Sequence, residues 1–252
     1  MKKINFDSKI IFALTLLFIY IILFEYILPI NKLLPKPSIL LESLIVIWQD
    51  YNLILAISIT TSVVYLSLFI SYFVSRSVAI LLIRIEFESP SVLEKLKIFQ
   101  YFPAFFFAII FVYWFGNNLI YEFLFTTIFS SIALCIIYVK EFKNINKIYL
   151  LVAKNLGLSA NQIYSKVAIK SLQPNIFTSM RKIHYQVWIL AMIYEFIAGI
   201  NGFGGIYKDA LSYSDFSGLF AIALIIAILI LLGSSGITFI HKKLFFWIND
   251  KN

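Results

Sequence analysis

From Gly218 to Ile240, and again from Leu53 to Ser75, the chain runs without a single Asp, Glu, Lys or Arg. At about 1.5 Å of rise per helical residue, either run is long enough to cross the roughly 30 Å hydrocarbon core of a bilayer. Lipid offers the backbone no hydrogen-bond partner, so a spanning segment must satisfy its own N–H and C=O groups. Runs this long and this uniformly apolar suit helices and not the alternating strands of a barrel. Composition agrees: 61% of residues are hydrophobic and 13% are charged, about half the charged share of a soluble domain. The expected fold class is all-α, a polytopic helical membrane protein with about six transmembrane helices, forming one domain over residues 1–252.

The expected spans are Ile10–Ile30, Leu53–Ser75, Ile98–Phe115, a fourth from the turn Gly116-Asn117-Asn118 to Val139, Pro174–Gly199, and Gly218–Ile240. The first follows a basic head, is longer than the 7–15 residues or so of a signal-peptide core and has no small-residue cleavage site. It reads as an uncleaved span, ended by Pro29 and then Pro35 and Pro37. Ser38 to Trp48 is amphipathic and is expected along the outer surface. Arg76 to Lys97, interrupted by Pro90, reads as an inner-surface linker, partly helical. Along the second span Ser58, Thr61, Ser62, Tyr65, Tyr72 and Ser75 recur near helical spacing, which suits either hydrogen bonds between helices or a lining for a solute path.

The net charge is +8. The cations lie between the spans, where they set orientation and do not point to nucleic acid. One side holds Lys2, Lys3, Lys9, Arg76, Arg84, Lys95, Lys97, the six lysines from Lys140 to Lys170, Lys242, Lys243 and Lys251; the other holds Lys32, Lys36 and Lys208. Positive residues stay inside, so both termini and the loop after the fourth span are expected in the cytoplasm, and the protein in the cell's inner membrane. Cys135 is the only cysteine, and His184 and His241 have no metal-ligand spacing.

The longest polar interval between long apolar runs covers Leu150 to Arg181. Ile148 to Leu156 suits a short helix, Gly157 can end it in the left-handed conformation, and Ser159 with Gln162 forms a capping box for the next helix. That second helix would run through Pro174 into the fifth span. A short cytoplasmic helix, a stiff corner and a helix continuous with the membrane make a lever.

The wider pattern resembles the cytoplasmic loop of binding-protein-dependent ABC transporter permeases. It is carried by Ala153-Lys-Asn-Leu-Gly157-Leu-Ser159, then Val167-Ala-Ile, then Leu172-Gln-Pro174 and Arg181. Phe24-Glu25 with Leu34-Pro35-Lys-Pro37-Ser38, Phe102-Pro103 with Trp114-Phe115-Gly116, and Trp188–Glu195 with Gly202-Phe-Gly-Gly205 resemble the nitrate, sulfonate and taurine importer branch. Three positions depart from the pattern: Leu151 stands where the motif leads with glutamate, Lys170 where it has its first proline, and Thr61 where an arginine is usual in this branch. The resemblance implies a type I ABC importer permease fold and a pathway made by two permease chains, identical or different. Residues 148–170 would be the coupling loop, with Leu151, Val152, Ala153, Lys154, Gly157, Leu158 and Ser159 meeting an ATP-binding subunit. An extracytoplasmic solute-binding protein would deliver a small oxyanion. The chain has no G-x-x-x-x-G-K-[ST] phosphate loop, so ATP is expected on the partner, with no cofactor and no catalytic activity on this chain. A permease for a vitamin precursor is the alternative within this class. A stand-alone secondary transporter would favour internal repeats and a membrane enzyme a clustered catalytic set; neither is legible.

Ionisable groups inside a span are costly, by about 2.5–3.5 kcal/mol at the centre. Arg181, His184, Trp188 and Glu195 fall near one face of the fifth span. They are expected either to line the translocation path, with Glu195 near its outer gate, or to pack, with Glu195 bonded to backbone or tyrosine groups. Pro174, Gly202, Gly204 and Gly205 are the expected hinge points. Glu25, at the outer end of the first span, reads as structural.

Overall fold

The computed structural model describes residues 6–28, 34–88 and 91–249, and among them the regular structure is helical, with no strand. Pro29, Ile30, Lys32, Pro90 and the extreme ends fall outside the described residues. The chain is an all-α polytopic membrane protein. Helix α1 (Phe6–Ile21) passes into a π-helical turn, Ile22–Ile27. Helix α2 covers Pro37–Asp50, with proline in the first turn, where its missing N–H costs nothing. Glu25 ties these two elements together: its carboxylate accepts from Ser38 Oγ at 2.9 Å and from the Ser38 N–H at 3.2 Å.

Helix α3 (Leu53–Glu88) has 36 residues, roughly 54 Å of helix, so it outruns a bilayer core. The stretch from Arg76 to Glu88, expected as a mixed linker, is its continuation. After a break come α4 (Val92–Lys97), a 3₁₀ turn at Ile98–Gln100 and α5 (Ala104–Phe115). The third apolar interval therefore supplies only 12 helical residues. Helix α6 (Leu119–Lys143) starts on Asn118, whose side chain accepts from the Ile120 N–H. Then come α7 (Lys147–Asn155), the single turn α8 (Ala160–Gln162), a π-helical segment Ile163–Ala168, and α9 (Ile169–Ala198). Helices α10 (Phe203–Ser212), α11 (Phe216–Leu244) and α12 (Phe246–Asn249) complete the order.

Three helices, α3, α6 and α11, are each long and apolar enough to cross a membrane alone. The helix Ala160–Ala198 and α10 are apolar enough only when taken together, and they meet at 49° across a short break. Leu14–Ile27 and α5 are shorter apolar helices. All six intervals read from the sequence thus carry a helix, of unequal length.

Helix α9 is the centre. It packs against α6, α10, α3, α11 and α5, while α3 lies along α6 and α2 along α11. Ile169, Ile176, Ile183, Val187 and Trp188 fill the interior from α9, facing Val64 and Ile83 of α3 and Leu134 and Tyr138 of α6. The buried hydroxyls of α3 are Thr60, Ser67, Ser71 and Ser75, whereas Ser58 and Ser62 are exposed and Tyr65 is partly so, its ring packed on His184. The buried stripe is therefore rotated from the row read in the sequence, which shares with it only Ser75 among fully buried positions. It binds helix to helix: Ser67 Oγ and Thr126 Oγ1 of α6 are 2.6 Å apart. Thr61, at the position where an arginine is usual, turns its hydroxyl back to the Ile57 carbonyl at 2.5 Å.

Candidate coupling loop and buried carboxylate cluster

The loop folds by local rules. Asn146 caps α7, accepting from the Ile148 N–H at 3.0 Å. At the other end Gly157 takes φ +78°. Its N–H donates to Lys154 O at 3.0 Å and the Leu158 N–H donates to Ala153 O at 3.2 Å. This pair of bonds is the Schellman motif, which satisfies carbonyls a helix end leaves open. Ser159 then closes a reciprocal box with Gln162, its N–H donating to Gln162 Oε1 at 3.0 Å and its Oγ accepting from the Gln162 N–H at 3.4 Å. From there the chain is helical to Ala198, through the π-helical segment and through Pro174.

Helix α7 leaves an apolar face open. Ile148, Tyr149 and Val152 are half or more exposed, Leu151 is 59% exposed and Leu156 76%. Ala153 is buried and Lys154 exposed. Leu158 is half-buried and Ser159 exposed, so the residues predicted to meet a partner form one corner, of which only Ala153 turns fully inward.

Glu195 and its neighbours sit at the opposite end of α9. Gly199 ends that helix at φ +67°, with its N–H on Glu195 O at 2.8 Å. The Glu195 carboxylate, fully buried, accepts from Thr60 Oγ1 at 2.5 Å and from the Gly204 N–H at 2.7 Å. Thr60 Oγ1 in turn accepts from the Phe203 N–H at 3.1 Å. The first N–H groups of α10 thus point at Glu195 and Thr60, an arrangement the positive end of a helix favours. The glycines allow the approach: a Cβ on Gly202 would strike the Glu195 carboxyl, and one on Gly204 would strike Met192 O and the Phe196 N–H. One on Gly205 would strike Ile200 O. Glu122 of α6, also fully buried, lies beside Glu195, and neither of its oxygens has a hydrogen-bond partner among the described residues.

The other expected path residues separate. His184 and Trp188 are fully buried and bonded to each other, Trp188 Nε1–H donating to His184 Nε2 at 2.9 Å. The His184 ring stacks on Tyr65 and leaves Nδ1 3.4 Å from Ser234 Oγ. A Cβ on Gly233 would collide with Tyr65 and His184, so α11 passes close there. Arg181, by contrast, is exposed. Within one chain the structure brings Glu195 together with Gly202, Gly204 and Gly205, pairs His184 with Trp188, and leaves Arg181 and Pro174 apart from both groups. The measured bend lies between Ala198 and Phe203.

Sequence reasoning missed Thr60 and Glu122. Thr60 is one residue from the hydroxyl row that was read, and only the packing of α3 shows which row is buried. Glu122 sits in the first turn of α6, where an acid ordinarily needs no explanation beyond the helix dipole.

No curated protein matches the chain. Residues 96–246 match the family model described as binding-protein-dependent transport system inner membrane component. That stretch takes in α5 to α11, hence the capped loop, α9 and the Glu195 cluster. The chain belongs to the family of inner membrane components of binding-protein-dependent transport systems.

Proposed function

We propose that this chain is the permease subunit of an ATP-driven importer, and that α7 is the surface on which a separate ATP-binding subunit pulls. One observation carries the reading: an apolar face stands open on α7, and two caps join that helix to a helical rod ending at Glu195. A force on α7 has a stiff route of about 1.5 Å per residue through α9 to the bend at Gly199–Gly202. Leu151, where the family pattern has an acid, and Leu156 give the contact a hydrophobic character. Lys140, Lys143, Lys147, Lys154, Lys166 and Lys170 fall in and just before this loop in the sequence, and that charge bias favours a cytoplasmic loop, with both termini on the same side.

Two such chains, identical or different, form the path, and a binding protein delivers solute at the Gly199–Gly205 end. The solute is a small oxyanion of the nitrate, sulfonate or taurine kind, as the resemblance of the first, third and fifth spans implies. Pro174, Gly202, Gly204 and Gly205 are the points about which the rod and α10 rearrange, and the Glu195 cluster is the outer latch.

Co-purification from native membranes tests this. A tagged chain is expected to bring down a protein carrying the G-x-x-x-x-G-K-[ST] loop. The double substitution Leu151→Asp with Leu156→Asp is expected to release it while leaving the thermal midpoint unchanged. Retention of that protein by the double variant, or transport by the purified chain without ATP, would overturn the reading.

A further inference from the structure

A cavity of about 540 Å³ opens between the turn before α5, the middle of α6 and the middle of α9. It belongs to neither the coupling corner nor the Glu195 cluster. Its volume falls within the range of small-molecule sites, roughly 300–1,000 Å³. Phe99, Phe102, Phe129 and Ile136 supply an aromatic and aliphatic wall. Lys182 and Gln186, one turn apart on α9, also line it, and no carboxylate does. Among the described residues Lys182 forms no ion pair. Side chains four apart on a helix stand side by side, so the ammonium and the amide can reach one group together.

Lys182 is exposed and Gln186 partly buried, so the ammonium offers its charge to an anion from the open side of the cavity, with the apolar walls beside it. The amide adds a neutral donor that fixes orientation. The remaining walls reward an apolar body and offer rings to stack on. We infer that this cavity binds an amphiphilic monoanion, one anionic group on an aromatic or aliphatic body, with Lys182 and Gln186 on the anionic end. Two sources share that chemistry: an organic sulfonate or carboxylate entering as solute, and the headgroup of an anionic lipid with its acyl chain on the apolar wall. The solute source rests on the permease reading; occupancy of the cavity does not.

The test uses the full chain in nanodiscs of phosphatidylcholine, with p-toluenesulfonate as the first probe and chloride at equal ionic strength as the reference. The second probe is replacement of part of the lipid by phosphatidylglycerol. The thermal midpoint is read, because a ligand that binds the folded state raises it in a saturable way. A solute site predicts a saturable rise with toluenesulfonate, shifted at least about tenfold to higher concentration in Lys182→Gln and unchanged in Lys140→Gln. A lipid site predicts that wild type and Lys182→Gln separate in phosphatidylglycerol only. Gln186→Leu, which keeps the charge and removes the amide, gives the same ordering with a smaller shift and covers the case in which Lys182→Gln does not fold. Equal response of wild type and these variants to both probes overturns the proposal. Because ATPase coupling is not read, that failure leaves the proposed function standing or falling by its own test.

Discussion

Gly204 shows how closely one residue can be constrained without any backbone strain of its own. A side chain there would meet the Met192 carbonyl, the Glu195 Cβ and the Phe196 N–H, all of them parts of α9 that cannot swing aside. Gly204→Ala is therefore expected to cost at least about 1–3 kcal/mol, the usual range for overpacking. It also breaks the N–H bond that Glu195 accepts. Gly236→Ala, where a Cβ would meet nothing within 4 Å, is the matched control and should leave the thermal midpoint within about a degree or raise it slightly. A Gly204→Ala midpoint equal to wild type would show that α9 and α10 are not packed as described. The sequence announced a break at Gly202–Gly205 but not its purpose. Gly202 makes room for a carboxylate seven positions earlier, while Gly204 and Gly205 make room for the backbone of α9 and of Ile200, and the 49° turn brings the two helices together.

At the scale of elements, the capped corner between α7 and α8 was the most legible part of the chain, because caps are local chemistry. Asn146, Gly157, Ser159 and Gln162 each do in the structure what their residue types favour. At Gly157 the constraint is conformational alone, since a Cβ would meet nothing within 4 Å. Gly157→Ala should cost about 1–2 kcal/mol and Gly157→Asn less, because asparagine tolerates the left-handed region. Faster amide exchange in α7 than in α6 of the alanine variant is the readout; equal protection in all three proteins would mean the corner is not held this way. The α2–α3–α11 junction makes a second prediction. Tyr51 donates to Asp215 at 3.1 Å, and burial, then the Asp215, Asp50 and Asp209 carboxylates, push its hydroxyl up to about 12 from an ordinary 10. A raised value means the folded state holds this proton longer. The contribution is whole below pH 10 and is lost as pH rises toward 12. Tyr51→Phe should be less stable than wild type at neutral pH and show a shallower alkaline loss. A parallel pair of pH curves would contradict the junction. Element ends away from caps were less legible: α3 continues to Glu88 because nothing between Arg76 and Glu88 breaks a helix, whereas the charge there suggested a separate, partly helical linker.

At the scale of the whole molecule, the apolar runs established the class and the cations its expected orientation, since both follow from how lipid treats charge. Which faces pack could not be read, because the hydroxyl rows of α3 differ by a rotation that hydropathy does not register. The assembled chain has a continuous rod at its centre, α8 through α9, with an open apolar corner at one end and a buried carboxylate cluster at the other. Exposed apolar surface on a charged loop is costly unless something covers it, and on this account an ATP-binding subunit does. Site-specific photocrosslinking tests that most directly: a benzophenone side chain replaces Leu151 in the chain expressed in its own membrane, and the adduct is identified by mass spectrometry. The account predicts a crosslink to a protein bearing a nucleotide phosphate loop, with a yield that changes when ATP is added. Adducts confined to lipid or to the chain's own helices, in both nucleotide conditions, would contradict it.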